Sequence, residues 1–331
     1  MHSPAIFDAL IVGGGPAGLS AALALGRINR TALVFDSGEY RNAGVRAMHT
    51  VLSRDGEDPA EFRDIAHKQM HKYPTIQFCT GQIEQAANID IGSGYMGYQL
   101  VDSKNATYRG RKLILATGTE DVLPTNIEGY KENWPSHIYQ CLYCDGFEKK
   151  GQPIGILEFS NPGYAGLSIM ATHLSDNVTI YTNGPAKTDD AVQKAIRTAQ
   201  ASGVHLDNRP IRRLINQGDD IGVEFEDGQK ISLGLLVHKP PTVNRSQKLI
   251  DQLGLKHIDN TTEVLVNPLF TESSLPGCFV PGDAGQLLKQ VAVAMGTGVR
   301  AASGASFQLC NEEGARNLAA AEANGHAKAE L

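Results

Sequence analysis

The run Cys141-Leu142-Tyr143-Cys144-Asp145 places two thiols and a carboxylate on one short stretch of chain. A CxxC at the start of a helix brings its sulfurs within disulfide reach, and the unpaired N–H groups of the helix end favour the thiolate. A thiol must ionise before it attacks, so the adjoining carboxylate supplies the proton acceptor that the chemistry needs. Far upstream, Gly13-Gly14-Gly15-Pro16-Ala17-Gly18 is a glycine-rich turn of the dinucleotide-binding kind. Together these features point to sulfurs that exchange electrons with a bound flavin or nicotinamide.

Other chemistry fits less well. Half of a zinc site would also read CxxC, but no second CxxC or CxxH completes the tetrahedron, and no metal is expected. The chain has five cysteines. Cys79, Cys278 and Cys310 stand singly in apolar or helical surroundings and are expected to be buried and inert. Asp145 is the nearest candidate base, with helix capping as its alternative role. His137 and His49 are further candidates, because imidazole titrates near neutrality.

In the glycine turn, Gly13 permits the tight exit from a strand, Gly15 lets backbone amides approach a pyrophosphate, and Gly18 allows close helix–strand packing. Pro16 and Ala17 then open a helix whose amino terminus favours an anion. Asp36, at the end of the next strand, suits a ribose. Ala116-Thr117-Gly118 ends a further strand, and Gly282-Asp283 ends the run Gly277 to Pro281. Asp283 is expected at a ribityl hydroxyl, with the helix near Gln290-Val291 aimed at an isoalloxazine carbonyl. FAD explains all three separated segments, whereas NAD explains one.

Around these motifs the sequence alternates strand and helix. Phe7 to Val12, the glycine turn, Leu19 to Leu25 and Thr31 to Phe35 read as a βαβ unit. Pro59 to Tyr73 reads as helix and Ile76 to Phe78 as strand. Tyr98 to Val101 and Tyr108 to Ala116 flank a turn at Asp102 to Asn105. Beyond Gly118 the pattern lapses, and a second strand, turn, helix and strand follow from Ile154 to Tyr181, then a strand at Leu235 to His238. The expected organisation is a discontinuous cofactor domain, 1–120 and 241–331, with an inserted domain, 121–240, carrying the thiols. Asn311 to Leu331 reads as a solvated helix or a frayed tail, disordered at its end.

At 331 residues and 41% hydrophobic content the chain can form two domains. A net charge of -6, with basic pairs such as Arg111-Lys112 and Arg212-Arg213 too sparse to form a footprint, argues against a nucleic acid partner. The apolar stretch Ala9 to Gly26 is broken by the glycine turn, so no membrane association is expected. Met1 to Ile6 lacks the features of a secretory leader, and a cytoplasmic location is expected.

The cradle, Asp36, Arg41-Asn42, the Ala116 to Gly118 strand end, the CxxC and Gly282-Asp283 together resemble the low-molecular-weight thioredoxin reductases over nearly the whole chain. Phe35-Asp36-Ser37-Gly38-x-Tyr40-Arg41-Asn42, Met48-His49, Ile138-Tyr139-x-Cys141-Leu142-x-Cys144-Asp145-Gly146 and Val178 to Gly184 are similar to the gliotoxin- and holomycin-type dithiol oxidases. The resemblance implies an α/β chain of two Rossmann-like three-layer domains of the low-molecular-weight thioredoxin reductase type, assembled as a homodimer. It adds Ser37, Arg41, Asn42 and His49 to the residues around FAD. It implies that Cys144 faces the flavin while Cys141 exchanges with a small-molecule dithiol. The relatives close disulfides in compounds such as epidithiodiketopiperazines.

A thioredoxin reductase also needs a second glycine cradle for NADPH. Here that position reads Gly155-Ile156-Leu157-Glu158-Phe159-Ser160-Asn161-Pro162, and Thr182-Asn183 follow the next strand without an arginine pair for a 2′-phosphate. NADPH is therefore not expected, and molecular oxygen is the expected acceptor, reduced to hydrogen peroxide. The competing readings are an NADPH-dependent disulfide reductase and a non-catalytic flavin-binding redox sensor. Some gliotoxin-type relatives carry histidine just before the first cysteine, where this chain has Gln140, which leaves the base open between Asp145, His137 and His49.

Overall fold

The computed structural model describes residues 5–92 and 94–329. Met1 to Pro4, on which most of the leader argument rests, lie outside the described residues, as do the last two positions of the tail. The chain divides into two compact units, one comprising residues up to 41, 60–120 and from 242 onward, the other 42–59 and 121–241. Segment 42–59 thus differs from the sequence expectation, which had placed it with the cofactor domain. Its polar, glycine-bearing sequence carries no periodic apolar signal that would assign it to either core.

The first unit is built on a seven-stranded sheet. Ile76–Thr80, Ala32–Asp36, Ile6–Val12 and Thr107–Leu115 run parallel in that spatial order. Met96–Asp102 and Ile83–Asp90 extend it antiparallel, and Cys278–Phe279 adds a short parallel strand beside Thr107–Leu115. Ala9, Leu10 and Ile11 are fully buried because both faces of the central strand are covered. On one face pack Pro16–Arg27 and the long helix Val291–Ala329, through Ala21, Ala22, Leu25, Ala301, Ala302 and Ala305. The other face buries Leu113, Leu115, Tyr98 and Leu100 with Leu249 and Ile250.

Two details here escaped the sequence. Ile83–Asp90 is an edge strand that buries only Ile83 and Ala86, three positions apart across a register shift, so it lacks the period-two alternation that marks a strand in sequence. The stretch after Asn311, read as either a solvated helix or a frayed tail, is helical through Ala329. Ion pairs hold its beginning: Glu313 meets Arg30 at 2.7 Å and Arg111 at 2.6 Å, and Glu312 meets Lys112 at 2.5 Å. Such long-range partners are invisible to a local reading.

The second unit carries a five-stranded parallel sheet in the order His205–Asp207, Val178–Tyr181, Ile154–Leu157, Leu235–Val237, Ile138–Tyr139. Tyr164–Thr172 and Asp190–Ala201 cover one face around Ile154, Ile156, Val178 and Ile180. A three-stranded antiparallel sheet, Ile211–Gln217, Asp220–Phe225 and Lys230–Leu233, covers the other around Ile138, Leu157 and Leu236. No helix among the described residues is long and apolar enough to cross a membrane.

Ile138 is fully buried and fixes the short edge strand that leads to the thiols. Ile138→Ala is expected to lower the unfolding free energy by about 3 kcal/mol through loss of buried methyl groups and a residual cavity. Urea unfolding followed by circular dichroism checks this.

Candidate active site

Strand Ile138–Tyr139 lies parallel to Leu235–Val237, and its carboxyl end leads through Gln140 to Cys141. Carboxyl ends of parallel strands are where α/β sheets place their chemistry. Cys141 is extended, at φ -145° and ψ 120°, and caps the four-residue helix Leu142–Asp145. Its thiol is lowered from the ordinary thiol range to about 7, chiefly by the hydrogen bond from Cys144. Burial opposes this, while the N–H groups of Cys144 and Tyr143 and the charge of Lys239 assist.

Asp145 moves the other way. Burial first, then the Cys141 charge and Glu148, raise its carboxyl to about 7, and His49 works against them. A thiol and a carboxyl that both titrate near neutrality can pass a proton between them with little driving force either way. Tyr139 borders the pair as a neutral phenol, raised to about 12 by burial and by Asp145. Its hydroxyl donates to the Ser136 carbonyl.

The other sequence candidates are distributed differently. His137 is 3% exposed, with Nε2 2.6 Å from the Gly218 carbonyl and Nδ1 3.1 Å from the Ser136 hydroxyl. A carbonyl only accepts, so Nε2 carries the proton, Nδ1 is engaged by Ser136, and the ring holds the Gly218 turn instead of serving as a base. Asn42 and His49, expected beside the cofactor, belong to the 42–59 segment of the thiol-bearing unit. Trp134 stacks on buried Tyr130 at 6.1 Å and is a packing residue, whereas Tyr143 is 62% exposed. Cys278 is buried, its thiol pushed up to about 12, as expected for an inert sulfur. Cys310 is exposed, contrary to the expectation of burial, and its sulfur accepts from Arg30 at 3.1 Å.

Lys239 and Glu148 escaped the sequence reading. Lys239 lies two residues beyond the end of Leu235–Val237, the strand neighbouring Ile138–Tyr139, and that register was the only available signal.

In the first unit the three separated segments converge. Gly13 has φ +113°, and a Cβ there would strike the Ala116 carbonyl; a Cβ on Gly18 would strike the Gly13 carbonyl. At Gly15, which caps helix Pro16–Arg27, a Cβ would meet nothing within 4 Å, so the amide end of the helix is open to an incoming group. Gly282 comes within 3.0 Å of Ala17 by the same measure, and its N–H donates to Thr297. Thr117 and Ser246 share a hydrogen bond, and Arg245 N donates to the Gly118 carbonyl. Asp36 accepts from Gly38 N at 2.9 Å and from the Tyr40 hydroxyl at 2.5 Å, with Ser37 in the same turn. Arg41 pairs with Asp283 at 3.0 Å. Gln290 directly precedes the helix that begins at Val291 and accepts from Ala294 N. An open helix end flanked by carboxylates at both sides of the cradle fits an extended flavin dinucleotide.

The pyridine nucleotide-disulphide oxidoreductase family matches residues 7–298. The chain belongs to this family. It is 39% identical to thioredoxin reductase aclD of Aspergillus oryzae, over 94% of this chain and 99% of that relative. It is 41% identical to thioredoxin reductase tcpT of Claviceps purpurea, over 93% and 96%. Among solved structures, an oxidoreductase from Agrobacterium tumefaciens superposes with a TM-score of 0.82 at 30% identity, covering 92% of this chain and 99% of its own. The fold is that of the two-domain, low-molecular-weight thioredoxin reductases, and the protein is a disulfide oxidoreductase whose family implies FAD.

Two outcomes follow for this site. Gly13→Ala, which forces a side chain into the Ala116 carbonyl at a positive φ, is expected to abolish the bound-flavin absorbance of the purified protein. Cys144→Ala removes the main cause of the low Cys141 value, so the pH at which iodoacetamide alkylation of Cys141 is half-maximal is expected to climb from about 7 toward the ordinary thiol range.

Proposed function

We propose that the protein is a dithiol oxidase that closes an intramolecular disulfide in a small-molecule dithiol, with oxygen reduced to hydrogen peroxide. The observation that carries this reading is Glu158. It stands at the end of strand Ile154–Leu157, where the sequence of a nucleotide cradle calls for glycine, and at φ +54° it keeps a left-handed backbone that glycine adopts freely. Its carboxylate lies 3.5 Å from His238 Nε2, is hydrogen-bonded by Asn183, and is thereby held ionised. His238 Nδ1 is in turn 2.7 Å from the Tyr130 hydroxyl. A nicotinamide dinucleotide would bring its phosphates toward a fixed negative charge, which supports electron entry from sulfur.

The residues divide the work as follows. Asp145 takes the proton of an incoming thiol. The substrate thiolate attacks Cys141 Sγ of the Cys141–Cys144 disulfide, forming a mixed disulfide and releasing Cys144 as thiolate. The second substrate thiol loses its proton to solvent, its sulfur attacks the substrate sulfur of that mixed disulfide, and Cys141 leaves as the thiolate favoured by its helix end and by Lys239. The substrate departs oxidised by two electrons, which now rest on the two cysteines. The Gly13 to Gly18 turn, Asp36, Arg41 and Asp283 would hold a flavin, which would supply a two-electron acceptor for those cysteines, with oxygen as the terminal oxidant.

Exposed Tyr143 and Phe147, 62% and 72% accessible, offer apolar surface beside the thiols and suit a flat cyclic substrate of the epidithiodiketopiperazine kind. The exposed apolar side chains of Leu269, Leu287, Leu288 and Phe307 are compatible with a homodimer. The names of the relatives favour a second reading, an NADPH-dependent disulfide reductase.

Anaerobic addition of NADPH to the flavin-loaded protein separates the two. Under the oxidase reading the flavin stays oxidised with NADPH, is bleached by a small dithiol, and on admission of air yields one peroxide per dithiol consumed. Rapid bleaching by NADPH would establish the reductase instead.

A further inference from the structure

One hairpin turn of the second unit grips the thiol segment at both ends. Strands Ile211–Gln217 and Asp220–Phe225 are joined by Gly218 and Asp219 alone, and Gly218, at φ +83°, takes the left-handed backbone that so tight a connection needs. Asn216 Oδ1 accepts from Gly218 N at 3.0 Å and fixes the turn. Both turn residues are exposed, so water could satisfy their carbonyls. Instead, side chains from the thiol segment take both. His137 Nε2, just ahead of strand Ile138–Tyr139, donates to the Gly218 carbonyl at 2.6 Å, and Lys149 Nζ, at the end of the turn Phe147–Lys149, donates to the Asp219 carbonyl. Lys149 Nζ also lies 3.9 Å from Asp220. Neither donor swings freely in solvent: His137 is 3% exposed and the Lys149 side chain 15%.

The two anchors reach the sulfurs through the backbone. Leu236 N donates to the His137 carbonyl at 3.1 Å and His238 N to the Tyr139 carbonyl at 2.9 Å, which ties the first anchor into the parallel sheet. From the second anchor, Lys149 N donates to the Gly146 carbonyl at 3.3 Å, Gly146 N to the Leu142 carbonyl at 3.0 Å, and Cys144 N to the Cys141 carbonyl at 3.3 Å. We propose that the Gly218–Asp219 turn is a two-point clamp, with His137 and Lys149 as positioning residues, that holds reduced Cys141 and Cys144 ready to close and so favours their disulfide over the dithiol. The proposal rests on the reading of these two cysteines as the redox pair. Closing a disulfide removes conformational freedom from the chain that carries it, and a segment pinned at both ends has less to lose. Loss of either anchor therefore favours the dithiol.

The test equilibrates the flavin-loaded protein, without oxygen, against fixed ratios of reduced to oxidised dithiothreitol. Dithiothreitol loses two electrons and two protons in closing its own disulfide, and the Cys141–Cys144 disulfide takes them up in opening. Free thiols are then trapped with N-ethylmaleimide and the peptide carrying both cysteines is weighed. Lys149→Met is expected to shift the equilibrium about tenfold toward the dithiol, about 30 mV upward in potential for a two-electron couple, and Lys149→Arg, which keeps a donor, to return it. His137→Leu is expected to act in the same direction, and His137→Gln, which keeps a donor near the Nε2 position, to restore the ratio. Where His137→Leu fails to fold, the two Lys149 variants decide. A merely structural part would lower the urea midpoint and leave the ratio alone. A ratio that stays put, or moves toward the disulfide, in folded variants overturns the proposal and leaves the redox reading standing. A wild-type pair that forms no disulfide at any ratio overturns that reading, and the proposal with it.

Discussion

Cys141 and Asp145 share one half-buried turn of chain, where the hydrogen bond from Cys144 lowers the thiol against the effect of burial, and burial first, then the Cys141 charge, raises the carboxyl. The thiol is drawn down and the carboxyl is pushed up until both sit near 7. Neither group would behave this way in water, where the two would differ by several powers of ten in acidity. Matching them places a base and a leaving thiolate at similar acidity, which suits the step in which Cys141 leaves the mixed disulfide.

The surrounding architecture follows from where such a pair can be held. A parallel strand end points backbone amides outward, and the helix that follows presents its first N–H groups to whatever caps it. Cys141 is that cap, and with only four residues in the helix Asp145 lies in the same turn. Gly146 is required just beyond, because a Cβ there would collide with the Leu142 carbonyl and with Leu174. The chain therefore packs tightly behind the pair, while Tyr143 and Phe147 remain exposed in front.

How much of this was legible depended on whether the determining contact was local. The glycine turn, Asp36 and the CxxC with its carboxylate are local signatures, in which backbone conformation and residue type are read from a few consecutive positions, and the structure brings the cradle segments together within the first unit. The strands at Ile154–Leu157 and Val178–Tyr181 have the boundaries their apolar runs suggest. His137 looked like a base because it lies close in sequence, but burial and two hydrogen bonds give it a structural part. Segment 42–59 could not be placed from sequence, since its membership is decided by contacts with residues far off in the chain, such as that of His49 with Glu148. The stretch after Asn311 stayed open between helix and frayed tail for the same reason: alanine and glutamate give composition, while the partners Arg30, Arg111 and Lys112 lie far off in sequence.

Glu158 extends the argument from the thiols to the ancestry of the unit that bears them. A non-glycine residue held at positive φ costs about 1–3 kcal/mol, so the position would be relieved by glycine unless the side chain repays the strain. The side chain does so through His238 and Asn183, and His238 is itself anchored by Tyr130 in the core. A fixed negative charge at this strand end would oppose the phosphates of a nicotinamide dinucleotide. On the proposed reading this leaves sulfur as the electron donor, and the matched acidity of Cys141 and Asp145 becomes the feature on which turnover depends.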